Sequence, residues 1–496
     1  MPRWRSAFNT LEAGDLAPLA GDIPPIVDSA LLQEKLNEWK ATRTVPFASD
    51  LVGAGMMSGQ LGEVREAAEW LVGLEEQAPL TVRRLASQAL GRTRANAESR
   101  RITGELIAQQ VTKVNPAVHK LRSVLQRYPR NPLAWVDLAR SYASLGLLDQ
   151  ADRAIRAAIT LAPNSRFALR SAARFFVHRR DPERARHILR ASPATSHDPW
   201  LLAAEIAVST VIGGGTSKFV PTGARLMKVG RFPASQTSEL AGALGTVEIL
   251  SGSRKDAKRL FECALIDPTE NAVAQAEWAN QKIGQVGIQE RHFQLPRSFE
   301  ARARRQYAEG NWQQALEEAL GWLEDEPFSS NPAIFGSFVA SIIGDAESGA
   351  DLAVRGLDAN PNNPILLNNL VVALANQSMI REAREFFSRI GRPGAEDPDD
   401  LAVWSATLGL IEFRDGHKEA GRALYQASRT MSRTAGNQLK HDMATLYLVR
   451  EELRSPGADT PELVQNLMKE LQTPTNPIVR TLLTSVAMEI RGKGLG

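Results

Sequence analysis

Apolar residues recur along this chain at intervals of three and four, the spacing that puts side chains on one face of an α-helix. The clearest stretch is NPLAWVDLARSYASLGLLDQADRAIRAAITLAP, from Asn131. Trp135, Leu138 and Tyr142 form one stripe, and Ala151, Ile155 and Ala158 form another. This predicts two antiparallel helices packed stripe to stripe. Ala139 and Ala151 are small enough for the backbones to approach closely. Gly146 falls in the turn, where a left-handed conformation is cheap for Gly. Pro163 stops the second helix.

The frame recurs. A shift of 34 residues carries Ala151 to Ala185 and Ile155 to Leu189, with Phe176 at the Tyr position, and the reverse shift gives Ala117 and Leu121. Leu51, Ala54, Gly55, Gly62, Ala67, Leu71 and Pro79 repeat the pattern, as do Leu244, Gly245, Gly252, Ala257, Phe261 and Pro268. Later units centre on Ala315 with Pro327, on Leu367, Leu370, Leu374, Ala383 and Phe387, and on Gly409, Gly416 and Ala420. Two stretches break the pattern. Residues 192–238 read as a degenerate unit with a first helix at Trp200–Ile212, and residues 284–297 lack a good second helix.

The spacing W-x2-L-A-x2-Y, then A-x3-I, then P, resembles the tetratricopeptide signature W-x2-L-G-x2-Y, A-x3-F, P over 34 residues. Ala139 stands for the usual Gly and Ile155 for the usual Phe. The resemblance covers roughly residues 46–430. It implies an all-α fold, a tetratricopeptide-type α-solenoid in which antiparallel helix pairs wind into a right-handed superhelix. The organisation expected is an N-terminal arm or cap over 1–45, a first segment over 46–285, a second over 298–434, and capping helices over 435–496 that cover the outer face of the terminal repeat.

Composition supports an array. The 496 residues exceed what one compact core accommodates, and 43% hydrophobic with 23% charged residues is an ordinary globular balance. The single cysteine, Cys263, excludes an intramolecular disulfide and a Cys-based metal cluster, and fits a reducing compartment. MPRWRSAFNT has basic residues with no apolar run behind them, unlike a secretory signal. No apolar stretch reaches membrane-spanning length. The expectation is a cytoplasmic protein with no membrane, metal or cofactor partner.

Charge adds a direction. The net charge is +3, yet residues 101–200 carry 17 Lys and Arg against 7 Asp and Glu, while residues 301–400 carry 8 against 16. Arg166, Arg170, Arg174, Arg179, Arg180, Arg184, Arg186 and Arg190 crowd one repeat. The tetratricopeptide resemblance implies that first helices line a concave groove. Arg140, Arg170 and Arg174 then face it and would suit carboxylates or phosphates. Some proteins of this kind clamp a peptide carboxylate with Lys, Arg and Asn. Asn368 and Asn369 occupy such positions here, without basic neighbours to complete a clamp.

No phosphate loop, zinc spacing, nucleophile elbow or catalytic cysteine signature is present. GGGTSK at Gly213–Lys218 lacks the Gly directly before Lys that a phosphate loop needs. The expected function is a non-catalytic scaffold or adaptor that binds a protein or peptide, an acidic one among the candidates, through its concave surface. Two alternatives stand: nucleic-acid binding by the Arg-rich 101–200 region, and a regulatory subunit of a separately encoded enzyme.

Overall fold

The computed structural model describes residues 1–7, 29–58, most of 62–90, 116–213, 216–394, 396–471 and 476–492. Residues 8–28 of the N-terminal arm, Pro79, the 101–115 part of the basic region and two glycines of the GGGTSK run lie outside the described residues. Among the described residues there is no strand, and no helix is long and apolar enough to cross a membrane.

The chain is an all-α solenoid of consecutive helix pairs. Helices α1 (Ser29–Ala41), α2 (Val45–Ser58), α3 (Arg65–Gly73) and α4 (Leu80–Ala89) share a core that includes Trp39, Leu51, Val64 and Leu71. After α5 (Pro116–Arg127) come the pairs α6 (Pro132–Ala143) with α7 (Leu148–Leu161), and α8 (Arg166–His178) with α9 (Pro182–Ala191). Next are α10 (Pro199–Ile212), α11 (Val220–Val229), α12 (Ala234–Leu250), α13 (Arg254–Ala264) and α14 (Glu270–Ile283). The single turn α15 (Glu290–Phe293) leads to α16 (Phe299–Glu309), α17 (Trp312–Asp325), α18 (Ser330–Ile343), α19 (Ala346–Ala359), α20 (Pro364–Asn376) and α21 (Ile380–Ser388). The chain ends with α22 (Pro398–Arg414), α23 (Lys418–Thr434), α24 (Gln438–Arg454), α25 (Thr460–Glu470) and α26 (Pro477–Gly492).

The sequence sets these boundaries by two devices. Among the described residues Asx-Pro dipeptides start six helices: Asn131, Asp181, Asp198, Asn363, Asp397 and Asn476 each accept a backbone N–H of the first turn, with Pro at the next position. Such a cap contributes about 1 kcal/mol, and Pro there forfeits no helical hydrogen bond. The turn between paired helices needs a left-handed residue. It falls on Gly146 and Arg180, 34 positions apart, and again on Gly310, Gly344 and Ser378 at the same interval. Arg180 and Ser378 hold this conformation without being glycine, which strains them.

Small residues on both helices of a pair let the two backbones approach closely. Ala139 and Ala151 are fully buried, and a Cβ on Gly245 would lie 2.9 Å from the Phe261 ring. Across 284–297, Val273, Val286, Phe293 and Ala301 form one cluster, so α14 packs on α16 through that irregular stretch. The solenoid coils back on itself. Arg140 on α6 donates to the Asp325 carbonyl, a Cβ on Gly146 would meet the Asp358 carbonyl at 2.9 Å, and Phe328 belongs to the core of α6–α10. At the C-terminal end α26 turns back, and Trp312 Nε1 donates to Thr481 at 2.7 Å.

Candidate peptide groove

The inner face of the coil is built by equivalent turns of successive first helices. Arg140 and Arg174 stand 34 residues apart at one repeat position. Asp137 lies one turn before Arg140, and Arg170 one turn before Arg174. Further along the face come Ala203, Ala204, Ala207, Glu239, Ala243, Asn271 and Gln275. Opposite stands the returning layer: Glu300 on α16, and Asp325, Glu326, Phe328 and Ser329 around the end of α17.

This groove is filled by residues 1–7 of the same chain. Met1 and Pro2 lie against the small residues of α10 and α12, leaving a residual cavity of only about 10 Å³. Arg3 reaches Glu300 at 2.6 Å and Glu326 at 3.0 Å. Trp4 is 0% exposed, with Phe328 4.9 Å away and Phe175 edge-on at 5.8 Å. Its carbonyl accepts from Arg140 Nε at 3.1 Å. Arg5 pairs with Glu270 at 2.9 Å and Asp325 at 3.3 Å. Asp137 then anchors the segment, accepting from Ser6 Oγ and from the Ala7 backbone N–H, each at 2.8 Å. Successive side chains thus alternate between carboxylates and aromatic rings, as in an extended strand.

The electrostatics centre on Glu326, which is 3% exposed. Burial alone would raise its pKa, but Arg3 and Arg174 outweigh burial and hold it at about 2. Glu300 is lowered in the same way, its burial overcome by Arg3 and Arg304. Burial works against the Arg3 charge too, and Glu326 and Glu300 more than compensate, so its pKa rises. Burial, with Arg174 beside it, holds His178 near a pKa of 4, neutral against the Phe328 ring.

The arginines expected to meet a partner sit at this groove in unequal roles. Arg140 touches the bound segment directly. Arg174 shares Glu326 with Arg3, at 3.6 Å, and its guanidinium lies 5.1 Å from the Phe328 ring centre. Arg170 pairs with Glu239 at 2.6 Å and stacks on Trp200, so it supports the wall. The rest of the Arg-rich repeat is largely matched internally: Arg166 with Asp198, Arg179 with Asp149, Arg184 with Asp152, Arg186 with Glu183, and Arg190 with Glu205. Most of these arginines therefore face carboxylates, and Glu205, Glu239 and Glu326 reach them from outside residues 101–200. Asn368 and Asn369 join neither the groove nor each other. Asn368 accepts from Thr407 at 2.7 Å, and Asn369 donates to Ser337 at 2.9 Å, tying adjacent first helices together.

Sequence reasoning missed the acidic wall and Trp4. The acids lie on the returning layer, and Arg3-Trp4-Arg5 sits in a stretch without helical periodicity. The excess of acids over 301–400 was the one visible trace. Beside the groove lies an open cleft of about 400 Å³ lined by Arg304, Tyr307, Trp322, Phe335 and Phe338. Trp322 also donates to Glu326 at 3.2 Å, so cleft and groove share a wall. Among the described residues no cluster of three metal-ligating side chains occurs.

No family model and no curated protein sequence matches the chain. Similar solved structures include the APC/C hetero-tetramer Cut9–Hcn1, at 12% identity over 93% of this chain and 95% of that one, with a TM-score of 0.34. Yeast Tom70 is similar at 10% identity over 90% and 96%, with a TM-score of 0.29. A human IFIT1 dimer with PPP-AAAA is similar at 12% identity over 92% and 93%, also at 0.29. These overall superpositions are loose. The tetratricopeptide-type architecture stands on the chain's own helix pairs and on the 34-residue recurrence of its left-handed turns.

Proposed function

We propose that this chain is a non-catalytic interaction scaffold that binds an extended segment of a partner protein along its concave surface. One observation carries the reading: the chain's own residues 1–7, of which 1–6 are in neither helix nor strand, fit that surface through ion pairs, a backbone contact from Arg140 and a buried aromatic anchor. Extended concave surfaces of this kind are the usual binding face of helical repeats. A separately encoded enzyme is one class of partner within this reading. Nucleic-acid binding through residues 101–200 is disfavoured because Arg166, Arg170, Arg179, Arg184 and Arg190 already face carboxylates of the chain. An acidic peptide is disfavoured by Glu270, Glu300, Asp325 and Glu326 on the groove wall. The scaffold works in the cytoplasm, consistent with its single cysteine.

The test is a pull-down of the tagged full-length chain from its host, with mass spectrometry and the 260/280 nm ratio of the eluate, repeated with Glu270→Arg. A stoichiometric protein partner that Glu270→Arg loses supports the reading. A high ratio that collapses on nuclease treatment overturns it.

A further inference from the structure

The walls of the groove are built by elements distant in sequence from its occupant. The ring slot for Trp4 comes from Phe175 on α8 and Phe328 after α17. The carboxylates that meet Arg3 and Arg5 come from α14, α16 and α17 with the turn after it: Glu270, Glu300, Asp325 and Glu326. Three consecutive side chains therefore satisfy a site whose parts lie on four elements distant in sequence. The fit of the occupant is also incomplete. The Trp4 indole N–H and Arg3 Nε are buried and meet no acceptor among the described residues. A ligand with Phe in place of Trp4 leaves no indole N–H buried there.

We infer that the groove is a receptor for an extended partner segment of the pattern cation–aromatic–cation, and that residues 1–7 are its resident competitor. This rests on the scaffold reading above and adds the chemistry of the ligand and the segment it must displace. The partner presents Arg or Lys on either side of Trp, Tyr or Phe. Guanidinium suits this wall best, because each Arg here meets two carboxylates at once. A tethered competitor that fills the site 90–99% of the time weakens the apparent affinity of an external ligand by about 10- to 100-fold. Binding of the partner is thereby conditional on release of residues 1–7.

The probe is a fluorescein-labelled peptide of sequence MPRWRSA, followed by anisotropy against the full-length chain and its full-length Arg3→Ala/Trp4→Ala variant. The variant is expected to bind the peptide one to one, at least tenfold tighter than the wild type. A peptide with Ala in place of Trp should not bind, and Glu300→Gln in the receptor should weaken binding tenfold. Equal affinity for variant and wild type, or binding to neither, overturns the inference. If the variant loses its helical circular dichroism, hydrogen exchange on the wild type decides. Amides of residues 3–5 that open while α6 and α8 stay protected support a displaceable segment; amides that open only with those helices make it a fixed strut and overturn the inference. A wild-type dimer that forms with concentration in sedimentation names a second copy as the occupant and also overturns it. A partner captured in the pull-down while the peptide fails leaves the scaffold reading intact and removes this one alone.

Discussion

Replacing Glu326 by Gln removes one negative charge from the point where the bound segment, the first helices and the returning layer meet. Gln has nearly the same size and still accepts from Trp322, so the change is electrostatic. Arg3 loses a partner at 3.0 Å but keeps Glu300 at 2.6 Å. Arg174 loses its carboxylate at 3.6 Å and keeps Ser329 Oγ at 3.4 Å and the Phe328 ring. Removing one member of a buried ion pair generally costs 3–5 kcal/mol, because the remaining charge is left unpaired away from water. Retention of Glu300 places this case at the lower end, about 3 kcal/mol. A long solenoid does not melt in two states, so the local opening of residues 1–7 is the proper observable. Hydrogen exchange with mass spectrometry reads it directly. The expected acceleration in residues 3–7 is roughly a hundredfold, at 1.4 kcal/mol per decade. The pair Arg3→Met with Glu326→Gln should show a coupling of about 2 kcal/mol, since the two side chains touch. Exchange within threefold of wild type, or strictly additive effects, would refute the reasoning.

Acidification should release the segment in two overlapping stages. His178, lowered from 6.5 to about 4, stabilises the fold above pH 6.5 and loses that contribution as pH falls toward 4, because the unfolded state takes up the proton first. Glu326, lowered from 4.5 to about 2, keeps its contribution above pH 4.5 and loses it as pH falls toward 2; each loss is on the order of 3 kcal/mol, and exchange of residues 3–7 across a pH series checks the sign. Arg180→Gly should raise the thermal midpoint, since φ of 63° is strained for Arg; a gain of about 1 kcal/mol is expected and a loss would contradict it. Gly146→Val should do the reverse by more than 1 kcal/mol, with φ of 71° and the Asp358 carbonyl 2.9 Å from the new Cβ. Asn369→Ala should cost about 1 kcal/mol of stability in urea unfolding and leave peptide affinity unchanged, because its amide is spent on Ser337.

What the sequence disclosed follows from which forces are local. Stripe spacing, Asx-Pro starts and glycine turns act within a few residues, so the pairs α6–α7 and α8–α9 were legible from Trp135, Gly146, Ala151 and Pro163. The Trp200–Ile212 helix was legible too, within one residue of its observed start. Arg180 and Ser378 escaped as turn residues because tertiary packing forces a conformation their side chains disfavour. The repeat positions of Arg140, Arg170 and Arg174 on first helices followed from the register. Their partners did not, since Glu239, Asp325 and Glu326 approach only once the superhelix closes. Charge read along the chain thus predicted an acidic ligand, whereas charge read across the groove favours a basic one. Trp4 was invisible for a related reason: its burial depends on Phe175 and Phe328, which lie 171 and 324 positions away.

The most direct test is a photo-crosslinking residue, benzoylphenylalanine, at position 4 of the full-length chain, irradiated at low concentration and mapped by mass spectrometry. Intramolecular crosslinks to α8 around Phe175 and to the turn around Phe328 are expected. Crosslinks absent from both places, or found only between two copies of the chain, would contradict this expectation.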